Sequence, residues 1–135
     1  MISLTNITVQ ATNESGSDTI DLDIEVSDPP NLSDQTVSYI RSEEIIPLRL
    51  NNTGTGYINT CEVTSGTLPT GLILSVTSDN ETCVITGTPS VVTAPSTISV
   101  TATNGYGSDT ADITLEITAQ PIPNLSAPSE LQTLI

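Results

Sequence analysis

One strand-turn-strand pattern occurs twice in this chain. Ala11 to Val26 reads ATNESGSDTIDLDIEV, and Ala102 to Ile117 reads ATNGYGSDTADITLEI, an offset of ninety-one residues. Extended back to Ile7 and Ile98, the copies share eleven identities over twenty gap-free positions. Apolar residues fall at every second place: Leu22, Ile24 and Val26 in the first copy, Ile113, Leu115 and Ile117 in the second. Asp21, Asp23 and Glu25, or Thr114 and Glu116, stand between them. A period of two puts alternate side chains on opposite faces of a strand, whereas a helix needs apolar residues every three or four. An Asn- and Gly-containing loop, NESGSD or NGYGSD, joins the two arms, so each copy is read as a β-hairpin.

An offset of this size is a whole small domain. Further strands are expected between the copies at residues 34–40, 44–50, 58–63, 72–78 and 82–87, with Pro47 marking an edge or bulge position. NNTGTG, GTLPTG, SDNE and TPSVVTAP separate them as turns and loops. With the closing hairpin this makes seven strands in some 90 residues, the rhythm of a β-sandwich. DPPN at Asp28–Asn31 and QPIPN at Gln120–Asn124 follow the two hairpins as proline-rich joints, and both lead into Leu-Ser. The expected division is a terminal hairpin of a preceding repeat at 1–27, a complete repeat at 28–118, and a linker with the first strand of a following repeat at 119–135.

Composition narrows the function classes. Sixteen Asp and Glu face two Arg, with no Lys or His, for a net charge of −14. Such a chain repels nucleic acid and anionic membrane surfaces. Ser and Thr supply 39 of the 135 residues, so the surface is largely neutral hydroxyl. No apolar run reaches the ~20 residues of a membrane helix, and no signal-peptide pattern opens the sequence; an export signal is expected outside this segment. General acid–base chemistry usually recruits His and Schiff-base chemistry needs Lys, so the chain is not expected to be an enzyme. GTLPTGL and ITGTP lack the spacing and Lys of a phosphate loop and read as turns.

Cys61 and Cys83 are 22 residues apart, a spacing that fits neither a zinc pair nor a C-x-x-C redox motif. A disulfide is the preferred reading, with two buried thiols as the alternative. Both residues fall on the inner face of their strands, beside Val63 and Ile85. A bridge closing this loop would stabilise the fold by about 3 kcal/mol. Six N-x-S/T sequons, at Asn6, Asn13, Asn31, Asn51, Asn80 and Asn124, are glycosylation candidates. Acidic balance, hydroxyl-rich strands and a disulfide together suggest an extracellular protein.

The succession NNTGTG, SGTLPTGLILS, CVITGTPS and TISVTATNGYGSDTADITLEI resembles the immunoglobulin-like repeat family of bacterial surface proteins, akin to dystroglycan-type cadherin-like domains. Three motifs carry the likeness: Leu68-Pro69-Thr70-Gly71-Leu72, Ile85-Thr86-Gly87-Thr88-Pro89, and the loop from Ala102 to Gly107. The resemblance implies an all-β, Ig-like or cadherin-like Greek-key sandwich of about seven strands, in tandem on large exported proteins, without catalytic residues. One departure is the near absence of aromatics, with Cys61 where such repeats often place a large core residue.

The expected function is therefore a non-catalytic structural module of a cell-surface stalk, adhesin or filament, partnered by neighbouring repeats or by copies of itself. The runner-up is a binding module for a glycan, a surface protein or calcium. Calcium wants six to eight oxygen ligands. Asp28, Asn31, Asp34 and Asp109 are the candidates at the first joint, with Glu14 as a further acid; solvated surface acids are the simpler reading. A glycan would want an aromatic platform. Only Tyr39, Tyr57 and Tyr106 are available, the last two in expected loops.

Overall fold

The structure, a computed structural model, describes residues 3–125, with side chains from Leu4 onward. β1 (Ser3–Asn13) and β2 (Gly16–Val26) form a two-stranded sheet of their own. β3 (Gln35–Ile40), β4 (Leu48–Asn51), β5 (Thr60–Ser65), β6 (Leu72–Val76), β7 (Thr82–Gly87), β8 (Thr93–Asn104) and β9 (Gly107–Thr118) build a sandwich. One layer is ordered β3-β9-β8-β5 and the other β4-β7-β6. Every pairing is antiparallel except β3 with β9, which run parallel from Gln35 opposite Ile113 to Ile40 opposite Thr118. This is the Ig-like Greek-key sandwich expected from the sequence, with its first strand moved into the layer of its last.

Alternation explains the core. Ile98, Val100 and Ala102 of β8 and Ala111, Ile113, Leu115 and Ile117 of β9 all turn inward and lose essentially all solvent contact. They meet Leu50, Ile58, Cys83 and Ile85 from the facing side. Fully burying each of the Val, Leu and Ile side chains stabilises the fold by about 1.5–3 kcal/mol. No aromatic belongs to this fully buried set; Tyr39 packs at its margin. A disulfide joins Cys61 of β5 to Cys83 of β7, with Cα atoms 5.9 Å apart, and so ties an edge strand of one layer to the middle strand of the other.

Several boundaries depart from the sequence expectation. The hairpin turns are tighter than the six-residue loops expected, holding only Glu14-Ser15 and Gly105-Tyr106. In each, the Asn side chain accepts from a backbone N–H two residues on, Asn13 from Ser15 and Asn104 from Tyr106, both at 2.8 Å. That Asx bond replaces the longer loop. Residues 93–95, read as loop, belong to β8, where a register irregularity between Thr93 and Ser96 accommodates Pro95. β4 starts only after Pro47 and lies at a sheet edge.

The two glycine motifs interlock as turns. Thr88 N donates to Gly71 O at 3.1 Å, and Ser90 N donates to Thr70 O at 3.0 Å. A Cβ on Gly71 would stand 2.0 Å from Thr88 O, and one on Gly87 would stand 2.2 Å from Gly71 O. The glycines let two backbones meet where a Cβ would clash.

Candidate functional site at the joint

Residues 28–34 carry the chain from the hairpin into the sandwich, and hydrogen bonds fix them there. Asp28 N donates to Thr55 Oγ1 and Thr55 Oγ1 donates to Asp28 Oδ2, each at 2.9 Å. Asn104 Nδ2 donates to Asp28 O at 3.0 Å. Asn31 N donates to Asn52 Oδ1 and Thr53 N returns a bond to Asn31 O, again at 2.9 Å. Further on, Leu32 N donates to Asp109 Oδ2 at 2.7 Å, and Asp112 N donates to Asp34 Oδ1 at 2.8 Å.

The four calcium candidates therefore all lie along this joint, each bonded to a different partner. Asp28 and Asn31 face the 52–56 loop; Asp34 and Asp109 staple the linker to β9. Among the described residues no three His, Cys, Asp or Glu side chains gather as a metal would need. Glu14 sits in the far turn of the hairpin, eleven residues before Glu25, roughly 36 Å away along an extended strand. The joint holds its acids as hydrogen-bond acceptors, Asp34 and Asp109 for backbone N–H groups and Asp28 for the Thr55 hydroxyl. The six sequon asparagines are all exposed.

What the joint does assemble is aromatic. A cleft of about 450 Å³ opens between the end of β2 and the sandwich, lined by Glu25, Ser27, Tyr57, Asn59, Asn104 and Tyr106 together with Gly105. Tyr57 comes from the β4–β5 loop and Tyr106 from the β8–β9 turn, and both rings are exposed. Sequence reading placed both in loops but did not bring them together. The available signal was topological: in an Ig sandwich the loop after the second strand and the last hairpin turn share one end. Tyr39 is elsewhere, against the core margin, and burial pushes its phenol above the usual value. Asp79, in the β6–β7 turn, is held below the usual carboxylate range by the Thr77 hydroxyl and the Glu81 N–H.

Two layers in this strand order, joined by a core disulfide, define an Ig-like domain. The model of the family described as "Putative Ig domain" (He_PIG) matches residues 24–118, and the chain belongs to that family. Among solved structures, "domains A168-A170 from titin" superpose with a TM-score of 0.62 at 19% identity, covering 89% of this chain and 44% of theirs. "Titin domains z1z2 in complex with telethonin" gives 0.51 at 18% identity, covering 87% and 62%. "Titin M4" gives 0.50 at 12% identity, covering 69% of this chain and 99% of its own. The chain spans less than two thirds of the first two. No curated protein sequence matches it. It is thus an Ig-like structural and interaction module, of a family typically without catalytic activity. Among the described residues no helix is long and apolar enough to cross a membrane.

Proposed function

We propose that this chain is a non-catalytic module of a large extracellular tandem-repeat protein, a cell-surface stalk, adhesin or filament that gives reach and self-association. Residues 1–27 close one repeat, 28–118 form the next, and 119–135 lead toward a third; residues 126–135 lie outside the described part. The observation that carries this reading is the β1–β2 hairpin. Its register, Ile7 opposite Leu22 and Asn13 opposite Gly16, is that of β8–β9, where Ile98 faces Ile113 and Asn104 faces Gly107. Yet Ile7, Val9, Ile20, Leu22, Ile24 and Val26 stand in solvent. A lone two-stranded ribbon is marginal in water, and an apolar face of this extent calls for a cover. In the equivalent pair that cover is a layer like β4-β7-β6, and the occupant that fits is the same layer of a preceding repeat.

The titin comparisons support the reading. The matched structures z1z2 and A168-A170 are named as runs of successive titin domains, and they cover 87% and 89% of this chain. The disulfide and the exposed sequons support an extracellular setting. Electron microscopy of the native protein released from its cells tests the proposal. Beaded rods or fibres are expected; isolated particles the size of one sandwich would overturn it.

A further inference from the structure

We infer that the cleft between Tyr57 and Tyr106 is a binding site for a neutral oligosaccharide. The inference goes beyond the array reading and rests on the cleft lining rather than on the apolar face of the hairpin. Three tyrosines are the only aromatic residues of the chain, and two of them line this one cleft, 45% and 63% exposed. A sandwich whose fully buried core is aliphatic has no packing use for rings placed there. Tyr presents an apolar face and a polar tip, the combination that recurs at recognition surfaces.

Both rings stand on fixed backbone. Tyr57 lies between Gly56, whose carbonyl accepts from Asn52 Nδ2 at 2.7 Å, and Ile58. Ile58 is wholly buried, and its N–H donates to Asn80 O at 2.7 Å. Tyr106 N is held by Asn104, which is itself 8% exposed and clamped to Asp28. Asn104 is thus a positioning residue. A platform already ordered loses little conformational freedom on binding, which favours affinity for a small ligand.

The lining selects the ligand class. Asn59 offers both a donor and acceptors, Glu25 accepts, and Ser27 and the phenols do both. A sugar hydroxyl is likewise both donor and acceptor, and the C–H face of a pyranose suits a Tyr ring. No Lys or Arg lines the cleft, and the net charge of −14 disfavours phosphorylated, sulfated or sialylated ligands. Tyr rings and Glu25 would attract a cation, but a cleft of about 450 Å³ is roomier than an ammonium head needs. The volume is within the range of about 300–1,000 Å³ usual for small-molecule sites. The cleft also stays open in an array. Glu25 lies on the polar face of β2 with Asp21 and Asp23, opposite the apolar face that a preceding repeat would cover.

The test is an NMR titration of the isotope-labelled full chain with cellotriose, maltotriose, mannotriose and triacetylchitotriose. Each is taken to about 20 mM, enough to reveal a millimolar site. At least one sugar is expected to give saturable shifts confined to residues 25–27, 57–59 and 104–107. Tyr57→Ala and Tyr106→Ala should each weaken it about tenfold or more without moving the melting temperature. Tyr106→Phe, which keeps the ring, should retain most of the affinity. Silence toward all four sugars would overturn the inference. So would shifts indifferent to the Tyr→Ala changes, or a response at these amides to tetramethylammonium or sialyllactose in place of the neutral sugars. A protein that forms rods but ignores the sugars would sink this proposal and leave the repeat reading standing.

Discussion

The β1–β2 and β8–β9 hairpins have the same register, the same Asx turn and closely related sequences, yet opposite surroundings. Leu22 is 43% exposed where its counterpart Ile113 is 0%; Ile24 is 42% exposed where Leu115 is 0%. Strand pairing and turn geometry are therefore local properties of this segment, fixed by alternation and by one Asn. Stability is not local. It comes from the second layer, which covers one hairpin and leaves the other bare.

The contrast is sharpest at its centre. Leu115→Ala should destabilise the sandwich by about 2–5 kcal/mol, while Ile24→Ala should change it by less than about 0.5 kcal/mol. Urea unfolding of the two variants reads the difference. In a chain lengthened to include a whole preceding repeat, the Ile24 cost should approach that of Leu115; a cost that stayed negligible there would break the equivalence. Next in size is the staple that only the complete sandwich possesses. Reducing Cys61–Cys83, or replacing both by Ser, should remove about 3 kcal/mol. An unchanged melting temperature would show that the aliphatic core needs no compensation for its missing aromatics.

The turns give a smaller contrast. Asn104→Ala loses two hydrogen bonds at a buried side chain and should cost about 1–3 kcal/mol, against less than about 0.5 kcal/mol for exposed Asn13→Ala. Equal losses in thermal melts would mean that the joint does not depend on Asn104. The smallest effect concerns Tyr39, which has no aromatic equivalent in the hairpin. Its folded pKa is raised by burial, so its contribution to stability is fully present below the unfolded value, about 10. That contribution is lost as pH rises through the folded value. Tyr39→Phe should flatten the fall in melting temperature above about pH 10; an identical alkaline slope would remove Tyr39 as its source.

Much of the fold could be read from residues because its signals are short-range. Alternation located the strands, and the inward faces of Cys61 and Cys83 anticipated a bridge between layers. Long-range consequences were not visible. Asp109 accepts from Leu32 N, 77 positions away in sequence, and nothing around Asp109 announces that partner. Asp34 likewise serves Asp112 N. The meeting of Tyr57 with Tyr106 depends on how a Greek key folds its loop ends together, which no local pattern records.

The parallel pairing of β3 with β9 has a mechanical consequence. Tension applied through the joints enters at the start of β3 and leaves at the end of β9. Because the two strands run in the same direction, those points lie at opposite ends of their six-pair ladder. The strands are then dragged lengthwise past each other, and all rungs are loaded together. An antiparallel terminal pair would take the same pull at one end and unzip rung by rung. If this module bears load, its resistance resides in that ladder, and Val37→Pro would weaken it from the middle.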